Sequence, residues 1–195
     1  VVINCAAYTA VDLAESDEDK AYLINAVAIK NLAKATAEAN IPFVHFSTDY
    51  VFDGNSASAR NEKDAVDPIN VYGKTKLKGE NFALSINNKT VIIRTSWVYS
   101  RFGNNFVKTM LNLGKKYETL RVVCDQIGTP TYTFDLARLL VDMLETEKYG
   151  YYHATNEGGY ISWYEFACEI FKQAGYTTKV IPVTTEEYGA SKATR

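Results

Sequence analysis

Two side chains in Val71-Tyr72-Gly73-Lys74-Thr75-Lys76 have the types and spacing for proton transfer: Tyr72 and Lys76, four residues apart. On a helix that spacing puts both on one face. A phenol with an ordinary pKa near 10 is protonated at neutral pH. A lysine ammonium about 6 Å away, at an effective dielectric of about 20, favours the phenolate by roughly 2–3 kcal/mol, about two pKa units. A phenol so activated can give its proton to a carbonyl oxygen while hydride reaches the carbon. Thr48, in Ser47-Thr48-Asp49, offers a hydroxyl to orient that oxygen. The chemistry implied is carbonyl reduction.

Spacing alone does not establish the pair. In a chain of 195 residues with 14 Tyr, chance places a Lys four residues after a Tyr about once. A second such pair exists, Tyr188 and Lys192. It follows no strand and sits in a polar tail, so it reads as the chance occurrence.

The elements that must position Tyr72 are legible in the pattern. Val1 to Cys5 reads as a buried strand. From about Ser16 to Asn40 the pattern is helical, with Ala21, Ile24, Ala28, Leu32 and Ala35 as the apolar stripe. Glu15, Asp17, Glu18 and Asp19 crowd its start, where the helix dipole favours them, and read as a solvated face. Phe43 to Phe46 is a second buried strand, and a polar loop spans about Asp53 to Asp67. A helix follows over about Val71 to Ser85, then a strand at Thr90 to Thr95. Further on come a helix near Asn105 to Lys116, a strand at Leu120 to Cys124, a helix opening at Thr133 and a strand at Tyr151 to Thr155. Ser162 and Glu165 form a capping box for a helix ending at Gly175, and a strand over Val180 to Val183 follows. This alternation argues an α/β fold, a Rossmann-like doubly wound parallel sheet. Ligands of such sheets meet the carboxyl ends of the strands. Those ends carry Ala6 to Thr9, Ser47 to Asp49, and Ser96-Trp97.

Composition excludes several classes. A net charge of −2 implies no general affinity for nucleic acid or anionic membrane. No apolar run reaches the length of a membrane span, and nothing resembles a signal peptide. The three cysteines, Cys5, Cys124 and Cys168, read as free buried thiols of a cytoplasmic protein. Two His and no paired Cys spacing give no metal site. His45 and His153 read as satisfied structural residues.

A strand ending in Ser-Thr followed by Tyr-x-x-x-Lys resembles the active site of the extended short-chain dehydrogenases/reductases. The segments N-C-A-A-Y-T-A-V-D-L-A-E, F-S-T-D-Y-V-F-D-G, N-V-Y-G-K-T-K-L-K-G-E, R-T-S-W-V-Y, G-N-N-F-V-K-T-M and D-Q-I-G-T-P-T are similar, in order, to the dTDP-4-dehydrorhamnose reductases within that branch. The resemblance implies reduction of the 4-keto group of dTDP-4-dehydro-L-rhamnose by NADPH or NADH. The product, dTDP-L-rhamnose, serves bacterial surface polysaccharide. It implies Tyr72 as proton donor, Lys76 on the nicotinamide ribose, and Thr48 on the reacting oxygen. Ala7, Tyr8 and Thr9 would line the cofactor by main chain, with Phe46 behind the nicotinamide. Thr48, Asp49 and Trp97 would contact the nucleotide sugar, with Asn104 and Asn105 on the substrate side. Residues 1–97 and 133–156 would form the dinucleotide-binding core, and 98–132 and 157–195 a substrate-side lobe. A homodimer is compatible with this reading.

The family's Gly-rich phosphate turn does not occur here, so the first strand and turn are expected to precede Val1, and further residues to follow Arg195. Two rivals stand. A nucleotide-sugar dehydratase would carry Thr-Asp-Glu after the strand, where this chain has Tyr50. A non-catalytic relative, like the regulatory subunit of methionine adenosyltransferase, need not retain Thr48, Tyr72 and Lys76, all present here.

Overall fold

The structure, a computed structural model, describes residues 1–56, 58–189 and 193. In chain order the elements are β1 (Val2–Asn4), α1 (Val11–Ala14), α2 (Glu18–Tyr22), a π-helical turn (Leu23–Val27), α3 (Ala28–Glu38), β2 (Phe43–Thr48), a 3-10 turn (Asp49–Val51), α4 (Val71–Ile86) and β3 (Thr90–Thr95). These are followed by β4 (Val98–Tyr99), α5 (Phe106–Gly114), β5 (Thr119–Val123), β6 (Ile127–Gly128), β7 (Thr131–Tyr132), α6 (Thr133–Leu144) and β8 (Gly150–His153). The last are β9 (Ile161–Ser162), α7 (Trp163–Ala174), β10 (Lys179–Val183) and α8 (Thr185–Tyr188).

The chain divides into two compact units, Val1–Thr95 with Asp142–Ala154 and Ser191–Arg195, and Ser96–Val141 with Thr155–Ala190. The first unit holds a four-stranded, wholly parallel sheet in the order β1-β2-β3-β8. The expected α/β parallel architecture is therefore present. Every residue of β3 is buried, and all but Phe46 of β2. Such near-continuous apolar runs mark strands inside a sheet covered on its faces. Ile29 and Ala33 of α3 and Ala83 of α4 pack with Phe43 and Ile92 to form the core beneath those helices. β1 stands first in this strand order, with Asn4 buried and Ile3 41% exposed. The thiols differ from expectation: Cys5 is exposed and Cys124 and Cys168 are half-buried.

The long first helix carries a correction with a clear cause. Ala28 and Ala35 of the expected stripe are exposed, while Ala21, Asn25, Ile29, Ala33 and Thr36 are buried. The π turn at Leu23–Val27 inserts one extra residue into the helical count. Beyond it the buried face moves on by one position, from 28, 32 and 35 to 29, 33 and 36.

In the second unit β5 and β10 pair in parallel, and α5 and α7 cover them through Met110, Val122, Ala167, Ile170 and Phe171. The Ser162–Glu165 capping box is formed, and Gly175 ends α7 in the left-handed conformation. The segment holding Tyr188 is a short helix with its own capping box, Thr184 and Glu187. Tyr188 is exposed, and Lys192 lies outside the described residues.

Candidate active site

α4 positions both titratable residues of the motif. Asn70 caps it, accepting from Gly73 N at 2.8 Å, and Glu15 accepts from Val71 N at 2.9 Å. A Cβ on Gly73 would overlap the Tyr50 carbonyl oxygen. Glycine there lets the first turn of α4 lie directly on the 3-10 turn that follows β2. Tyr72 is consequently brought to Thr48, Asp49 and Tyr50, and its ring meets Tyr50 edge to face at 5.6 Å. Tyr72 is 9% exposed and Lys76 2%. Both lie at the carboxyl-terminal side of β2 in a parallel sheet, where ligands of such folds bind.

Burial controls the charge of both groups. It pushes the Tyr72 phenol up to about 12, with the Thr48 side chain pulling it back as a hydrogen-bond partner and Asp49 and Tyr50 raising it further. It pulls the Lys76 amine down to about 8, against the upward pull of Glu80. The expected lowering of the Tyr72 phenol by Lys76 is thus absent from this arrangement. The lysine nitrogen is turned instead to Phe46 O at 2.6 Å and to His45 Nε2 at 3.3 Å. Desolvation of the charged form is the largest cause of both shifts.

Thr48 Oγ1 donates to Asp49 Oδ1 at 2.9 Å and accepts from Tyr50 N at 3.2 Å. Asp49 keeps surface open to solvent, yet protein hems in its carboxyl and pushes its pKa up. The Thr48 hydroxyl, the backbone N–H groups of Asp49 and Tyr50, and His153 pull it back. His153 is only half satisfied: Nδ1 meets Arg60 O at 3.1 Å, while Nε2 is buried with no partner among the described residues. Ala7 is half-buried, Tyr8 buried and Thr9 exposed.

Several residues that hold this site were not singled out from the sequence. Asn25, fully buried, accepts from Tyr8 N at 2.9 Å and donates to Tyr8 O and to Thr75 Oγ1, both at 3.1 Å. It ties the loop after β1 to α4, and it occupies the main-chain groups of Tyr8 that were expected to line a cofactor. Glu80 and Arg94 form a bidentate buried pair, at 3.0 and 2.7 Å, that fixes α4 to β3. An Asn and an Arg inside otherwise apolar stretches were the available signal; Glu80, among Lys78, Gly79 and Asn81, offered none.

In the second unit, Trp97 has φ 47, rare for a residue with a side chain. Its indole stacks on Trp163 at 3.5 Å and 9°. Asn104 is exposed. Asn105 caps α5, accepting from Lys108 N and donating to Ser100 O, so its carboxamide already has a structural task. Among the described residues no group of three His, Cys, Asp or Glu could hold a metal ion, and no helix is long and apolar enough to cross a membrane.

The donor set fits the nicotinamide end of a dinucleotide: an amine and a phenol on one helix face, with a threonine hydroxyl beside the phenol. Comparison with known proteins points the same way. A family model described as the RmlD substrate binding domain matches residues 1–195. Over 189 residues the chain is 46% identical to the spore coat polysaccharide biosynthesis protein SpsK of Bacillus subtilis, covering 97% of this chain and 66% of that one. Over 180 residues it is 47% identical to the dTDP-4-dehydrorhamnose reductase of Aggregatibacter actinomycetemcomitans, covering 89% of this chain and 61% of that one. The chain therefore spans less than two thirds of the length of these curated relatives. The crystal structure of dTDP-4-dehydrorhamnose reductase from Bacillus anthracis in complex with NADP superposes with a TM-score of 0.96 at 48% identity, covering 99% of this chain and 68% of that one.

Proposed function

The chain belongs to the RmlD substrate-binding domain family, and from that premise we propose that the protein reduces the 4-keto group of dTDP-4-dehydro-L-rhamnose to dTDP-L-rhamnose, with NADPH or NADH, for bacterial cell-surface polysaccharide. The observation that carries this reading is the buried pair Tyr72 and Lys76 on one face of α4, with the Thr48 side chain acting as hydrogen-bond partner to the phenol. The Aggregatibacter relative bears this activity in its name, the B. anthracis relative binds NADP, and SpsK is named for polysaccharide biosynthesis.

In this reading the dihydronicotinamide supplies a hydride to the carbonyl carbon. Tyr72 gives its phenolic proton to the carbonyl oxygen, and the Thr48 hydroxyl turns from Asp49 Oδ1 to donate to that oxygen. A phenol pushed up to about 12 is fully protonated at neutral pH and so is loaded as a donor. Its weakness as an acid is offset when Lys76 carries a proton, because a cation within the pocket stabilises the phenolate formed. Lys76 also offers N–H groups to ribose hydroxyls. Ala7, Tyr8, Thr9 and Phe46 border the cofactor, and Asp49, Trp97, Asn104 and Asn105 serve the nucleotide sugar. The first unit is then the dinucleotide-binding part and the second the substrate side.

The test is oxidation of NADPH by the intact protein with dTDP-4-dehydro-L-rhamnose, compared with Tyr72→Phe. Loss of a positioned general acid should lower turnover about 10²–10⁴-fold while dinucleotide binding is kept. Wild-type turnover in Tyr72→Phe would refute the proton-donor role. Absence of any reduction, with co-purification of a synthetase, would favour a regulatory subunit instead.

A further inference from the structure

We infer that His45 is a positioning residue for Lys76, presenting an Nε2–H to the lysine nitrogen so that this pocket satisfies the amine form rather than the ammonium. A chain of hydrogen bonds fixes the tautomer. The Ala6 N–H can only donate, so the Asn4 atom that faces it at 3.2 Å is Oδ1. Asn4 Nδ2, which also reaches Ala6 O at 3.2 Å, is then the donor toward His45 Nδ1 at 3.0 Å. A ring nitrogen that accepts carries no proton, so the hydrogen of the neutral imidazole sits on Nε2. Nε2 stands 3.3 Å from Lys76 Nζ.

An ammonium has three N–H groups and no lone pair. At Lys76 it would set an N–H against an N–H. The amine accepts from His45 Nε2–H with its lone pair and still has an N–H for Phe46 O at 2.6 Å. Burial leaves little access for water to mediate: His45 is 0% exposed, Lys76 2% and Asn4 7%. The other titratable groups around the lysine are on its own helix, Tyr72 one turn back and Glu80 one turn on. Arg94 of β3 holds Glu80 bidentately and matches its charge, and Asp49 of the turn after β2 acts on Tyr72. The direction of titration agrees. Burial and then the neighbouring Lys76 hold His45 well below its ordinary value, and Lys76 itself is pulled down to about 8.

The consequence for catalysis rests on the proposed reduction; the tautomer does not. A protonated Lys76 stabilises the Tyr72 phenolate and a neutral one does not, so the Nε2–H of His45 adds to desolvation in lowering the pH above which the pair fails.

Nitrogen-15 NMR of the intact protein reads the tautomer directly. His45 is expected neutral through the neutral range, with its proton on Nε2, and Lys76 is expected to titrate well below an ordinary lysine. Asn4→Asp replaces the donor facing Nδ1 by a carboxylate oxygen. It should move the ring proton to Nδ1, leave Nε2 free to accept, and raise the Lys76 midpoint by about one unit or more, tenfold in proton affinity. The alkaline limb of the reductase pH profile should rise with it. The added charge of the aspartate also lifts Lys76, and the position of the His45 proton separates that effect from the tautomer switch. A wild-type His45 carrying its proton on Nδ1, a charged ring at neutral pH, or an Asn4→Asp ring that keeps Nε2–H would overturn the inference. If Asn4→Asp does not fold, the wild-type tautomer decides alone. A protein with the expected tautomer but no reductase activity would sink the proposed function and leave this inference standing.

Discussion

Lys76→Met should change how folding stability depends on pH, with a magnitude that follows from the burial of the lysine. In the unfolded chain Lys76 titrates at its ordinary value of 10.5; in the fold it is pulled down to about 8, first by desolvation. The unfolded state therefore binds more protons between those values, and stability rises with pH across that window. At pH 7 the wild type carries a penalty of about 3 kcal/mol from this site, since one pKa unit corresponds to about 1.4 kcal/mol. By pH 10 most of that penalty is gone. Methionine fills similar volume and does not titrate. The stability gap, variant minus wild type, should shrink by about 2.5 kcal/mol from pH 7 to pH 10. Loss of the hydrogen bond to Phe46 O shifts the gap at every pH equally, so only the slope is diagnostic. Tyr72 and the other groups titrate in both proteins and largely cancel. Urea unfolding of both proteins at half-unit pH steps measures the gap. A gap that stays flat means that Lys76 keeps an ordinary pKa, and a gap that widens reverses the sign; either refutes the reasoning from burial.

Glu80→Gln leaves the Arg94 guanidinium buried without its counter-charge and should cost about 3–5 kcal/mol in denaturant unfolding at neutral pH; a loss below 1 kcal/mol would show that the pair does not anchor α4. For Gly79→Ala, helix propensity alone predicts a gain of about 1 kcal/mol. The new Cβ would overlap the Asn25 carbonyl of the π turn, however, so a net loss of about 1–3 kcal/mol is expected in thermal unfolding. Tyr188→Phe should leave NADPH oxidation within twofold of wild type, because Tyr188 is exposed on α8; a large loss would mean that the other Tyr–Lys pair does the chemistry.

Local pattern was enough for several elements. β3 occupies Thr90–Thr95 as its apolar run indicates, and α4 ends within a residue of its expected limit. The Ser162–Glu165 box and Gly175 bound α7 because those signals act within one turn of chain. The Thr184–Glu187 box of α8 is equally local, in a stretch whose composition reads as a polar tail. The four-residue step from Tyr72 to Lys76 put both groups on one helix face for the same short-range reason. What the spacing could not carry was their charge. Proximity in sequence suggested a cation lowering a phenol, whereas the fold buries both and drives each toward its neutral form.

That reversal comes from partners far along the chain. His45 lies 31 residues before Lys76, and Asn25 lies 50 residues before Thr75. Whether a polar side chain in an apolar stretch faces water or another polar group depends on which elements meet, and one added residue in the π turn decides which face of the first long helix is buried. The sequence by itself determined the parallel α/β order, the boundaries of the helix that carries Tyr72 and Lys76, and the residue types offered to the site. Only the tertiary structure decided which of those residues are desolvated together. Desolvation is a property of the surrounding atoms, and it sets the protonation on which any proton transfer here depends.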